Sequence, residues 1–340
     1  MEKLLTVVVP CYNSEAYMAG AIESLLPGGE ALDVLIVDDG STDGTGAVAD
    51  RYAAAHPEMI RVIHQPNGGH GAGINRCIET ARGIYMKVLD SDDRLDEHGL
   101  KALLALLAEH ADPDRQADLV VSDYVYDRGG DSDGFRISYN RVMPSERLFG
   151  WEECGRFPST KQFMIHALTY RAALLREHGF ALPEHSFYED NLYIYKPLPW
   201  TRKIRYLHEA VYKYNIGRGG QSVDEQNMIR RMKEYAGMIT QMACSWKMAD
   251  LEKLPARLRS YMINNAAGQL LNLACLAAVA KTQEAEALRE QAWRDIRAYD
   301  EALYRALWKS MPGQLSHMPG RPGDLLMLTG YRIGRRLIHF

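Results

Sequence analysis

The stretch GIYMKVLDSDD, residues 83–93, decides how the first third of this chain folds. Its apolar run is interrupted only by Lys87 and ends in three carboxylates within four positions. A short run with apolar residues on both faces suits a buried strand of a parallel sheet. A polar cluster at its carboxyl end suits the crevice where such sheets bind ligands. Asp90 and Asp92 are two apart, so an extended backbone turns them to the same side. Carboxylates that close repel one another unless something positive lies between them, and two hard oxygen ligands suit Mg2+ or Mn2+. The same letters also fit a helix start: SDDRLDEHGL precedes a helical pattern, and Asp93 or Asp96 would serve at its N-terminus. That reading accounts less well for Asp90, still attached to the strand.

Outward from this stretch the chain alternates between two periods. LLTVVV (4–9), DVLIV (33–37), IRVIH (60–64) and DLVVSDY (118–124) are further short runs rich in β-branched residues. Helical patterns lie between them, one with Met18, Ile22, Leu25 and Leu26 on a face that Asn13 or Ser14 could cap, and another that starts at Thr45. A third runs through Ile74 and Ile78, and HGLKALLALLAEH (98–110) is the fourth. Strand–helix–strand repetition of this kind means an α/β layer with right-handed crossovers. Residues 127–160 read as loops or an irregular insertion, and strand patterns return at FMIHALTY (163–170) and KIRYLHEAVYKYNI (203–216). From about Asp224 to Met311 the chain is mostly helical, with methionines at 228, 232, 238, 242 and 248 expected in a core or a dimer contact.

The whole-chain numbers exclude several classes. With 340 residues, 46% apolar, 25% charged and a formal charge of −4, the chain reads as globular, with no nucleic-acid footprint. Five scattered cysteines without a C-x-x-C pair argue against a disulfide framework or structural zinc, and for a reducing compartment. No charged-then-apolar leader opens the sequence, so no signal peptide is expected. LLNLACLAAVA (270–280) is too short to span a bilayer. The tail GYRIGRRLIHF carries Arg332, Arg335 and Arg336, which could touch an anionic membrane surface.

Four polar motifs stand at the carboxyl ends of the first four strands: PCYNSE (10–15), DDGSTDGT (38–45), QPNGGHGAGIN (65–75) and DSDD. Any one could be an ordinary turn. Four in register at one sheet edge make a site the better reading. Asp38 or Asp39 could accept hydrogen bonds from a base or a ribose, while Ser41 to Thr45 would form a capped turn. The glycine-rich loop is neither a dinucleotide fingerprint nor a P-loop.

VVVPCYNSEAYMAGAIESLL, VLIVDDGSTDGT and GIYMKVLDSDD, in that order and spacing, resemble a bacterial surface-polysaccharide type of family 2 glycosyltransferase of the GT-A fold. The resemblance is strong over residues 4–125 and continues through FYEDNLYIY and GRGGQS to about 222. It implies a GT-A domain over 1–222, a helical region over 223–340, and inverting transfer of a sugar from a nucleotide-diphosphate donor, UDP expected. The acceptor would be a hydroxyl of a saccharide, a lipid-linked acceptor or a surface polymer. By the same resemblance Pro10, Tyr12, Asn13, Glu15, Asp38 and Asp39 line the nucleoside pocket, with Asn75, Ser91 and Asp90 also on the donor. Asp92, with Asp90, ligates the divalent cation, Mn2+ or Mg2+. Asp190 is the general base, with Glu189 the next candidate, and Arg218, Gln221 and Ser222 hold the diphosphate. The enzyme would be cytoplasmic, peripheral at the inner face of the membrane, and could dimerise through its helical region.

Two departures from the family pattern stand out. The glycine loop usually leads into Ala-Arg-Asn, and here it reads Gly73-Ile74-Asn75, so an arginine is missing. Lys87 interrupts strand four; it or Arg76 is expected to supply the missing cation, although alternation puts Lys87 opposite Asp90. His70 reads equally as a donor or acceptor contact and as a loop residue. His166 reads as a satisfied core histidine, and Trp151, Tyr188 and Trp200 as sugar-stacking residues or lids on the core. Two other readings stay open: a non-catalytic sugar-nucleotide-binding module, which would not need Asp190, and a nucleotidyltransferase, which would need a basic glycine-rich loop where PCYNSE stands.

Overall fold

In the computed structural model the described residues are 3–127, 134–158, 161–216 and 224–317. The chain divides into two compact units, Met1–Gly155 with Phe163–Ile216, and Arg156–Gln162 with Gly217–Phe340. The division expected at residue 222 falls within 217–223, outside the described residues, as do Arg218, Gln221, Ser222 and the basic tail.

The first unit is built on one ten-stranded sheet. Its strands are β1 (Leu5–Cys11), β2 (Leu32–Asp39), β3 (Ile60–Gln65), β4 (Tyr85–Val88), β5 (Arg94–Leu95), β6 (Leu119–Asp127), β7 (Phe135–Ile137), β8 (Leu148–Phe149), β9 (Leu168–Arg171) and β10 (Ile204–Asn215). The order is β3-β2-β1-β4-β9-β6-β10-β5, with β7 on β6 and β8 on β10. Strands β3, β2, β1 and β4 run parallel. β9 is antiparallel to both β4 and β6, and β10 is parallel to β6. Every residue of β1 and β2 is buried, which is why both read as unbroken apolar runs rather than alternating ones.

The helices of this unit are α1 (Met18–Leu25), α2 (Thr45–Ala55), α3 (His70–Thr80), α4 (Glu97–Glu109), α5 (Ala172–Glu177) and α6 (Asp190–Tyr195). α1 starts without a side-chain cap. Asn13, expected there, instead accepts from the backbone N–H of Thr42, and Ser14 offers only its carbonyl to Tyr17 and Met18. Asp96 is the cap of α4, accepting from the Gly99 N–H. A Cβ on Gly99 would run into the Ala210 carbonyl and the Val211 Cα of β10. Gly99→Ala is therefore expected to cost about 1–3 kcal/mol as an overpacked contact. A thermal melt should fall by several degrees; an unchanged midpoint would mean that α4 does not press on β10 this closely.

Two stretches differ from the sequence expectation. Of FMIHALTY only Leu168, Thr169 and Tyr170 are strand, within Leu168–Arg171, and Ile165–Ala167 is one 3-10 turn. The β4–β9 ladder ends at the pair Met86–Tyr170. The carbonyls of Leu168 and His166 face the Lys87 ammonium instead, at 3.4 and 2.6 Å. The stretch 127–160, read as irregular, contributes β7 and β8 to the sheet, short enough that no alternation is visible in the sequence.

The second unit is helical: α7 (Glu225–Arg230), α8 (Met232–Ala243), α9 (Met248–Leu251), α10 (Ala256–Ala280), α11 (Gln283–Tyr299), α12 (Glu301–Lys309) and α13 (Met311–Ser316). Met232, Met238 and Met242 are buried along α8, as core residues. The run at 270–280 is the end of a longer helix than expected. α10 is long and apolar enough to cross a membrane by length and composition, and 56% of its most apolar window is buried, as in a core helix.

Candidate functional site

The carboxyl ends of β1 to β4 are tied to one another by their turns. Asn13, with a left-handed backbone (φ 49°), accepts from the Thr42 N–H at 2.8 Å, and Glu15 accepts from the Gly44 N–H at 2.8 Å. Ser41 and Asp43 accept from the Asn13 and Glu15 amides in return. Ser14 and Ser91 meet at 2.9 Å, joining the turn after β1 to the turn after β4. Parallel pairing sets Asp38 beside His64 and Asp39 beside Gln65. Asp38 accepts from the Ser41 N–H and bonds His64 Nδ1 at 2.9 Å. Burial would raise its pKa, and these hydrogen bonds hold it below the usual carboxylate range. Asp39 accepts from Gln65 and from the Gly68 and Gly69 amides, so it anchors the glycine loop. Tyr12 is 53% exposed at the mouth of this edge, and Pro10 lies against Gly73 beneath it.

The glycine loop places His70 at the first turn of α3, where its ring bridges two carboxylates. Nδ1 lies 2.8 Å from Glu189 and Nε2 3.1 Å from Asp90. Burial alone would lower the His70 pKa, but hydrogen bonds to Asp90 and Glu189 outweigh it and carry the pKa well above the ordinary histidine value. The two carboxylates thus favour the protonated form of His70. It reaches Glu189 because the segment 183–189 lies directly on the loop, with the His185 N–H donating to the Gly68 carbonyl. A Cβ on Gly71 would stand 2.8 Å from the Pro183 carbonyl oxygen and 3.1 Å from the Glu189 Cγ, so only glycine permits this approach. His185 and Tyr188 take left-handed backbones (φ 50° and 66°) on the way. They deliver buried Glu189 and half-buried Asp190 to the start of α6. Burial, then the neighbouring charge of Glu189, pushes the Asp190 carboxyl up to about 7.

Beneath Asp90 lies a second cluster. Asp93 is buried, accepting from the Tyr212 hydroxyl at 2.6 Å and from the Asn215 N–H at 2.8 Å. Burial, with Asp90 beside it, drives its pKa up to about 9. His166 stands between the rings of Tyr212 and Tyr214, each 4.5 Å away centre to centre. Burial lowers its pKa to about 4, so the imidazole is neutral and able to act as a ligand. Asp90, Asp93 and His166 each bring a ligand atom within 4.8 Å of the others. The His166 Nδ1 is buried with no hydrogen-bond partner among the described residues.

Several expectations need correction. Asp93 is not a helix cap; it is the buried floor of the cluster, and Asp96 alone caps α4. His166 is not a satisfied core histidine. Lys87 is fully buried with its ammonium on the His166 and Leu168 carbonyls rather than at a donor site. Arg76 is exposed, bonding Gln65 and Glu79. The basic side chain bonded to Asp90 is His70. The Asn75 side chain donates to the Leu182 carbonyl and accepts from its N–H, so it clamps the approach to 183–189. The Asp92 carbonyl accepts from the Asn215 side chain at 3.5 Å, and among the described residues the three ligand atoms that cluster come from Asp90, Asp93 and His166. Trp151 is buried on Thr201, and Trp200 stacks on His178 at 4.4 Å. Tyr212 and Tyr214 were not singled out from the sequence. Their period-two spacing in YKYN, against a lysine inside an apolar strand, is the trace that could have marked them.

The family profile described as Glycosyl transferase family 2 matches residues 6–155. Glycosyltransferase GlyG of Streptococcus pneumoniae is 35% identical over 137 residues, 39% of this chain and 42% of that protein. The poly(ribitol-phosphate) beta-N-acetylglucosaminyltransferase TarS of Staphylococcus aureus is 28% identical over 222 residues, 64% of this chain and 36% of that protein. The chain thus spans less than two thirds of the length of these curated relatives. The crystal structure of residues 1–349 of TarS superposes with a TM-score of 0.68 at 20% identity, over 97% of this chain and 92% of that one, a likeness of fold. With the parallel β3-β2-β1-β4 edge and its acidic turn already in place, the match assigns residues 6–155 to glycosyl transferase family 2, and the likeness to TarS is one of GT-A fold.

Proposed function

We propose that the chain transfers a sugar from a nucleoside-diphosphate donor, UDP by preference, to a hydroxyl of a saccharide or cell-surface polymer, with inversion and with Asp190 as general base. The observation that carries this reading is Asp190 itself: a half-buried carboxyl with its pKa near 7, set beside the Asp90–His70–Glu189 bridge. A base poised near the working pH takes a hydroxyl proton most effectively. Glu189, hydrogen-bonded to His70, raises the basicity of Asp190 by its charge. Tyr12, Asn13, Glu15 and Asp38 frame the nucleoside end, and Ser91 and Asp90 the sugar-phosphate end. Structural likenesses support a donor of this kind: TarS has been crystallised with UDP-GlcNAc, and a mannosyltransferase of Pyrobaculum calidifontis with GDP-Man and Mn2+.

The Asp90, Asp93 and His166 group fits a divalent ion. Half-buried Asp90 and buried Asp93 stand so close that the Asp93 carboxyl is pushed up to about 9, a strain that a bound cation would relieve, and the His166 Nδ1 has no hydrogen-bond partner among the described residues. The imidazole favours Mn2+ over Mg2+. Such an ion would supply positive charge against the leaving diphosphate. We place the reaction in the cytoplasm at the inner face of the membrane; all five cysteines are free, as a reducing compartment keeps them.

The test is a thermal-shift screen of UDP-, GDP- and dTDP-sugars with and without Mn2+. One nucleotide class should raise the melting temperature, and more so with the ion. Turnover of that donor with saccharide acceptors should follow. Stabilisation without turnover across acceptors would overturn the enzyme reading in favour of a binding module.

A further inference from the structure

We propose that Lys87 is a positioning residue for the divalent ion: by holding the His166–Leu168 turn it fixes the His166 imidazole toward Asp90 and Asp93. This rests on the cation reading above. Lys87 is fully buried in β4, where an apolar side chain would fill the same space without the cost of a buried amine. Its ammonium donates to the His166 carbonyl at 2.6 Å and faces the Leu168 carbonyl at 3.4 Å, with the Tyr212 ring 5.7 Å away. It is not itself one of the clustered ligands.

The consequence lies in how His166 is held. Its ring is stacked on Tyr214 and tilted against Tyr212, each 4.5 Å away, with Tyr124 edge-on at 5.6 Å, contacts that set the plane of the ring. Its Nδ1 has no hydrogen bond to set the rotation. The turn Ile165–Ala167 is a single 3-10 turn, closed by the Ala167 N–H on the Met164 carbonyl and the Leu168 N–H on the Ile165 carbonyl. β6 pairs with β9 as far as Val121–Leu168, but on the other side the β4–β9 ladder has already stopped at Met86–Tyr170. The Lys87 side chain continues the connection from β4 to the turn where the backbone ladder ends. Without it, the His166 carbonyl loses its hydrogen bond to the Lys87 amine and the turn can roll, carrying the imidazole away from the two carboxylates.

The experiment is a double-mutant cycle on Mn2+ affinity, measured by calorimetry on the full chain, with Lys87→Met, His166→Phe and both together. Co2+ absorption serves as a separate report on nitrogen ligation. Lys87→Met should weaken Mn2+ binding about 10–100-fold, the range for groups that orient a ligand, and should diminish the Co2+ signature. In the His166→Phe background it should cost nothing further, a coupling that a merely structural lysine would not show. If Lys87→Met does not fold, Lys87→Gln carries the same comparison. Binding within twofold of wild type in the lysine variants, while His166→Phe binds poorly, would overturn this inference and leave the cation site standing. Unchanged Mn2+ binding in His166→Phe would overturn the cation site itself, and the inference with it.

Discussion

Asp190→Asn should lower kcat by about 10^2 to 10^4, the range for removing a positioned general base, with little change in donor KM. The substitution keeps shape and removes only the ability to take a proton. The pH dependence has a definite sign. The base acts as the carboxylate, and burial together with Glu189 pushes its pKa up to about 7. The rate of the wild type should therefore fall about tenfold for each unit of pH below about 7 and level off above it. Glu189→Gln removes a negative neighbour, so the acid limb should move to lower pH, while burial still keeps it above the ordinary carboxylate range. A flat profile between pH 5 and 8, or full activity in Asp190→Asn, would remove Asp190 from the chemistry.

His166→Phe should separate stability from ion binding. Phenylalanine keeps the ring between Tyr212 and Tyr214 and deletes a nitrogen that has no partner. Relieving a buried unsatisfied polar atom is worth about 1–3 kcal/mol, so the metal-free variant should melt no lower than wild type, and higher if the full gain is realised. Its Mn2+ affinity should fall by more than about a hundredfold, since a ligand is lost rather than merely misdirected. Asp92→Ala provides the contrast: a large effect there with none in His166→Phe would return the ion to the Asp90–Asp92 pair that the sequence suggests.

The parallel edge of the sheet is legible because β1, β2 and β4 are buried on both faces, and burial on both faces favours mainly apolar runs ending in polar turns. The bridge between Asp90 and Glu189 is not legible in the same way. Its two carboxylates are 99 residues apart, and His70 is 119 residues from Glu189. Nothing in local spacing says that the strained segment 183–189 will lie on the glycine loop. Asp93 was misread for a related reason. A carboxylate before a helix is an ordinary cap by local rules, and only the arrival of β10, with Tyr212 and Asn215, turns it into a buried group.

By itself, the sequence determined the α/β layer, the sheet edge where the polar turns gather, and the acidic turn after β4, because each follows from side-chain periodicity and turn chemistry within a few residues. Tertiary structure alone decided which charges meet: His70 rather than Lys87 or Arg76 beside the acids, and His166 with Asp93 beneath them. The physical reason is that a pKa and a ligand set depend on burial and on neighbours a few ångströms away. Those neighbours come from strands and loops that are distant along the chain and are brought together only when the sheet closes.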